Sequence, residues 1–183
     1  MITAENICKS YDGTQILRNI SFEINKGESV SIIGISGIGK SVLLKSLIGL
    51  IKIDNGKIFI DNQLISKLPF AELQKIRSNI GMVFQFGALF DSMSVEENIS
   101  LALEKILKLS PGDVKDRVEE SLSEVGMSGN EKKMPSELSG GMKKRVGIAR
   151  AIAIRPRYMF YDEPTTGLDP IMTDSINRLI SNF

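Results

Sequence analysis

Three short stretches carry residue types whose spacing could do chemistry. The first, "GISGIGKS", runs from Gly34 to Ser41 and fits G-x-x-x-x-G-K-[ST]. In such a loop Gly34, Ser36, Gly37 and Gly39 let the backbone wrap phosphates, Lys40 supplies a compact positive charge, and Ser41 offers a hydroxyl to Mg²⁺. The second, "YMFYDEP", delivers Asp162 and Glu163 to the end of an apolar run, the end at which α/β sheets bind ligands. Asp162 would hold Mg²⁺ through water and Glu163 would orient or polarise an attacking water. The third, "LSGGM", places Ser139, Gly140 and Gly141 where a basic helix begins. Its bare backbone N–H groups are a second phosphate-binding device. Two such devices require either two phosphates or two chains around one.

These residues need a sheet and helices to hold them. "QILRNISFEIN" alternates like a half-buried strand, and "SVSII" reads as a strand buried on both faces that feeds Gly34. "SVLLKSLIGL" predicts a helix ended by "DNG"; "KIFID" is a strand, "FAELQKIRS" a short helix, and "IGMVF" a strand ending at Gln85. Ser94 and Glu97 form a capping box ahead of "ISLALEKILKL". Ser110-Pro111 opens a second helix with Val114, Val118, Leu122 and Val125 on one face, closed by Gly126. "YMFYD" is a further buried strand, and "DPIMTDSINRLISNF" a final helix. The pattern predicts an α/β core of the P-loop type, an antiparallel β flap near the N-terminus and an inserted helical lobe.

Bulk properties bound the partners. With 183 residues and 42% hydrophobic content the chain suits one domain. A net charge of +1 gives no general electrostatic case for nucleic acid, and "KKR" after the glycines reads as a solvated face. Cys8 is the single cysteine, which points to a reducing compartment. The start lacks a secretory signal layout, and the longest apolar stretch is interrupted by Lys45 and Lys52, so a cytoplasmic protein is expected. There is no histidine, so base chemistry falls to a carboxylate.

In this order, Gly34–Ser41, Leu138–Met142 and Tyr158–Glu163 resemble the Walker A, signature and Walker B motifs of an ABC-type ATPase over essentially the whole chain. The resemblance implies one ABC ATPase domain: residues 1–87 as β subdomain and core, 88–149 as the helical insertion with the signature, and 150–183 as core with Walker B and D-loop. It implies ATP and Mg²⁺ as cofactors, and a head-to-tail homodimer in which each signature caps the ATP held by the partner's phosphate loop, in keeping with two-fold closure. Tyr11 matches the aromatic that stacks on adenine, or is a surface tyrosine. Gln85 matches the Q-loop glutamine that senses Mg²⁺ and water, or is a polar strand end. Asp169 matches the D-loop aspartate, with a helix N-cap an equally good local reading.

The match has departures. Met142 stands where the signature usually ends in glutamine, and Val42 follows Ser41 where a second hydroxyl is common, although its backbone remains part of the nucleotide cradle. The family continues after the D-loop helix into a strand bearing a γ-phosphate histidine, whereas this sequence ends at Phe183 without one. Losing one preorganised donor costs about 3–4 kcal/mol, or about 10²–10³ in rate, so the chain is expected to bind ATP better than it hydrolyses it.

"FQFGALFDSMSVEENI" and "MPSELSGGMKKRVGIARAIA" look most like the ATPase subunit of MCE-associated, Mla-type phospholipid transporters. That likeness implies an integral membrane permease, an MCE-type lipid-binding protein, and a peripheral place on the cytoplasmic face of the inner membrane. "GALF" offers apolar residues to the permease or to the core of the helical lobe. Two other readings stand beside it, an ATP-binding fragment without turnover and a soluble ABC ATPase outside transport.

Overall fold

The computed structural model describes residues 1–85 and 87–181, which fall into two compact units, Met1–Arg77 and the chain from Ser78 onward. Phe86, Asn182 and Phe183 lie outside the described residues, so the expectations for "FQFGALF" and for the end of the last helix are followed only up to them.

The first unit holds the antiparallel flap: β1 (Ile2–Tyr11), β2 (Thr14–Ile24), β3 (Asn55–Ile60) and β4 (Gln63–Leu64), in the order β2-β1-β3-β4. Asp12 and Gly13, both at positive φ (48° and 78°), make the two-residue turn between β1 and β2. That handedness matches strand twist and explains why "YDGT" folds back tightly. Ile2, Ala4 and Ile7 of β1 bury with Leu17, Ile58 and Ile60. Each buried isoleucine or leucine side chain contributes roughly 1.5–3 kcal/mol, the Ala4 methyl less.

Helix α1 (Lys40–Leu47) follows the phosphate loop and stops well before "DNG". Gly49 adopts φ +69° and its N–H donates to Ser46 O, so this glycine ends the helix, and Asn55-Gly56 instead opens β3. Helix α2 (Phe70–Arg77) closes the unit; Arg77 donates to the carbonyls of Ile48 (3.0 Å) and Gly49 (2.5 Å) just past the end of α1.

One expected strand is absent. "SVSII" forms no ladder with either sheet and is exposed: Val30 is 51% and Ile33 93% accessible. An apolar run records what a segment would bury if flanked, but a strand also needs neighbours for its N–H and C=O groups. No described strand supplies them.

The second unit is built on a parallel pair, β5 (Ile80–Val83) and β6 (Tyr158–Tyr161), in register from Ile80↔Tyr158 to Val83↔Tyr161. Of β6 only Phe160 is fully buried, so "YMFYD" is a half-covered strand rather than the buried one expected. Helix α5 (Gly140–Ala153) packs on β5, and α3 (Val95–Lys105) and α4 (Pro111–Glu124) pack on α5 and on each other, with α6 (Pro170–Ile180) last. The Ser94/Glu97 capping box is present, and Ser110 Oγ accepts from Asp113 N ahead of Pro111. Val114, Val118, Leu122 and Val125 all enter one core with Ile99, Leu103, Val146 and Ile148. Gly126 ends α4 at φ +66°.

Candidate nucleotide site

In the first unit the phosphate loop spans Gly34–Ser41 as a turn at Ser36-Gly37 leading into α1. Gly39, the residue before the helix, has φ +109°, and a Cβ on it would stand 2.7 Å from Ile16 Cγ2. Both facts demand glycine at that point. Lys40 donates from Nζ to Gly34 O (2.9 Å) and Ile35 O (3.0 Å), drawing the loop around its own ammonium. Ser41 and Val42 begin the first turn, where backbone N–H groups lack helical partners. Tyr11 ends β1 as an exposed residue (44% accessible), with Lys9 Nζ 5.0 Å from its ring centroid.

In the second unit, parallel pairing brings the C-terminal ends of β5 and β6 together, and with them Gln85, Asp162 and Glu163. Asp162 N donates to Val83 O (2.9 Å), and its side chain is only 4% exposed. Gln85 Nε2 donates to Glu163 Oε2 (3.1 Å), and Thr166 Oγ1 donates to the same oxygen (3.1 Å). Glu163 has φ +48°, a left-handed conformation that costs a non-glycine residue about 1–3 kcal/mol. The two hydrogen bonds from Gln85 and Thr166 orient its carboxylate.

Helix α5 organises this unit. At its start Ser139 Oγ accepts from Met142 N as the N-cap; Gly140 is open, while Met172 of α6 lies over Gly141. One turn on, Lys144 is 5% exposed and donates to Pro164 O and Thr166 O, each at 2.7 Å. Burial pushes its pKa down, while the charge of Glu163 pulls it up. Arg145 donates to Val125 O and to Ser175 Oγ. The expected solvated "KKR" face is therefore wrong for these two side chains. Run-counting missed that residues 144 and 145 share the helix face turned to the 163–167 turn and to α6. Further along, Arg150 donates to Gly87 O and Ala88 O (both 2.9 Å), and Gly147 lets the Gly87 backbone approach.

Met142 packs against the core cluster, a role an apolar residue fills better than glutamine. Asp169 caps α6, its Oδ1 accepting from Met172 N (2.9 Å), which satisfies the local reading of that residue. In "GALF", Leu89 packs on the core whereas Phe90 is exposed. Sequence reasoning overlooked Lys9, Asp54, Lys144, Thr166 and Arg150. Lys9 alone had a usable signal, its i, i+2 spacing from Tyr11 on a strand.

A wrapped lysine loop leading into a helix, with paired acids ending a parallel strand pair, defines a P-loop type of α/β nucleotide-binding fold. The ABC transporter family matches residues 17–166, and the chain belongs to that family as its ATP-binding domain. It is 42% identical over 182 residues to the probable ribonucleotide transport ATP-binding protein mkl of Mycobacterium leprae (strain TN), covering 100% of this chain and 52% of that one. It is also 42% identical over 188 residues to protein trigalactosyldiacylglycerol 3, chloroplastic, of Arabidopsis thaliana, covering 98% and 54%. The chain thus spans about half the length of the curated relatives it matches. A solved dimeric ATP-binding cassette in a post-hydrolysis state, bound to ADP and Pi, superposes with a TM-score of 0.91 at 35% identity, covering 100% of this chain and 82% of that one.

Proposed function

We propose that this chain binds ATP with Mg²⁺ and hydrolyses it to ADP and phosphate, energising phospholipid transport through a separate permease and an MCE-type lipid-binding protein. The observation that carries the enzymatic part is the Gln85–Glu163 contact at the end of the parallel pair. It holds a carboxylate in one orientation with an amide beside it. Glu163 then accepts a proton from the attacking water as a carboxylate general base. Lys40 exchanges the two loop carbonyls for phosphate oxygens, and Tyr11 stacks on adenine.

Ser41, Gln85 and Asp162 supply hydroxyl, amide and carboxylate oxygens, the hard donors that suit Mg²⁺. Gln85 spends its Nε2 on Glu163, which leaves Oε1 as the donor atom. The bound ion would neutralise charge developing on the phosphates.

A second copy would complete the site, with Ser139, Gly140 and Gly141 of each copy facing the nucleotide of the other. The dimeric cassette with ADP and Pi supports that arrangement. The lipid assignment is supported by Met142, by "GALFDSMSV", and by a relative that bears a glycolipid's name. The relative named for ribonucleotide transport offers the competing cargo. No helix among the described residues is long and apolar enough to cross a membrane. Peripheral attachment to the permease on the cytoplasmic face of the inner membrane is part of this proposal.

The test is ATP turnover with and without permease and MCE protein in phospholipid vesicles. Stimulation by lipid-loaded partners supports the proposal, and stimulation by ribonucleotide-specific partners would replace the cargo. The competing outcome is ATP binding without turnover. Calorimetric binding with no phosphate release under any condition would select it.

A further inference from the structure

We infer that Lys9, held by Asp54, is a positioning residue for the nucleotide base: it covers one face of Tyr11, so that the base stacks only on the other. The inference rests on the reading of Tyr11 as the adenine platform.

Lys9 and Tyr11 are two residues apart on β1 and project to the same side of the strand. The Lys9 ammonium lies 5.0 Å from the Tyr11 ring centroid, within the ~6 Å range over which a cation is attracted to an aromatic face. It is not a swinging surface charge. Lys9 Nζ donates to Asp54 Oδ1 at 2.8 Å, Ser10 N donates to Asp54 Oδ2 at 2.6 Å, and Asp54 N donates to Cys8 O at 2.9 Å. Three consecutive residues of β1 thus hold Asp54, and Asp54 holds the ammonium. The entropy of fixing the long lysine chain is already spent before any nucleotide arrives.

Two consequences follow for the base. One ring face is closed, so a planar ligand has a single face on which to stack and a single approach. The cation also draws π-density toward itself, which reduces repulsion between the open face and an electron-rich purine. Asp54, more than forty residues from Tyr11 in sequence, thereby belongs to base recognition. An ordinary surface ion pair would leave nucleotide affinity unchanged.

The experiment is calorimetric titration of the 183-residue chain with Mg-ATP and, separately, with Mg-tripolyphosphate, which has the phosphates and no base. For Tyr11→Ala we expect ATP affinity to fall about tenfold, the scale of one base–aromatic stack, with tripolyphosphate unchanged. Lys9→Met and Asp54→Asn should each weaken ATP about two- to fivefold, again sparing tripolyphosphate, and Lys9→Arg should restore it. Adding Lys9→Met to Tyr11→Ala should cost nothing more. If Tyr11→Ala weakens ATP while Lys9→Met does not, the inference is overturned and the stacking role of Tyr11 stands. Equal losses for ATP and tripolyphosphate in Lys9→Met also overturn it, because the charge then acts on phosphate or on folding. If Tyr11→Ala leaves ATP affinity intact, the platform reading fails and takes this inference with it.

Discussion

Gln85 and Glu163, at the ends of two strands separated by most of the second unit's sequence, share a hydrogen bond of 3.1 Å from Nε2 to Oε2. The pairing exists because β5 and β6 run parallel and in register, so both strands end at the same level. It couples the orientation of the proposed base to a loop that precedes the helical elements.

Replacing Glu163 by glutamine keeps the size and the Gln85 contact but removes the proton acceptor. Turnover should fall by at least ~10², with ATP affinity retained. Phosphate release alongside calorimetry checks this, and unchanged turnover would refute the role of Glu163.

Lys40→Ala acts on a different term. The ammonium that now bridges Gly34 O and Ile35 O would sit against phosphate in ground and transition states alike. Loss of measurable ATP binding is the expected calorimetric result, and a normal affinity contradicts it.

Gly87→Ala tests the seam between α5 and the loop after β5. Gly87 has φ +76°, and a Cβ there would stand 2.9 Å from the Lys143 carbonyl oxygen. The left-handed penalty alone is about 1–2 kcal/mol, so urea unfolding should show at least that loss. Wild-type stability would mean the loop relaxes without cost.

Acid sensitivity should trace in part to Asp54. The Lys9 ammonium, then the Ser10 N–H, hold its carboxyl below the usual carboxylate range. A depressed folded-state pKa gives stability that is present above the unfolded value, about 3.9, and lost as pH falls through the folded one. Asp54→Asn should therefore be less stable than wild type near neutrality, with the difference vanishing once pH falls below the lowered folded-state pKa. A gap that persists at low pH in urea titrations contradicts this linkage.

Leu122 is fully buried at the centre of the helical cluster. Leu122→Ala should lower unfolding free energy by about 2–5 kcal/mol, and a smaller loss would indicate that the helices collapse into the space.

The helical elements were legible because their signals are local: Ser94 with Glu97, Ser110-Pro111, and the apolar stripe of α4 all stand in the sequence as they stand in the structure. Motif residues were legible for the same reason, since the Gly34–Ser41 spacing fixes a turn and a helix start. "SVSII" misled because burial of a strand depends on neighbours contributed by distant chain, which no window of sequence contains. Lys144 misled differently: a basic run looks solvated until the turn that accepts its protons is known to pack there. Asp54 was read as part of a turn ending the first helix; it sits instead at a bend ahead of β3, where its carboxylate answers to β1.

The contact between Gly147 and Gly87 leaves no side chain between the two backbones; a Cβ on Gly147 would sit 3.1 Å from Gly87 Cα. Nothing soft lies there to absorb a displacement. A displacement of the loop at Gly87 and Ala88, which Arg150 also grips, would therefore be passed to α5 rather than absorbed at the contact. Ser139 lies eight positions, about 12 Å, from Gly147 along α5, so even a small tilt about the contact would shift Ser139.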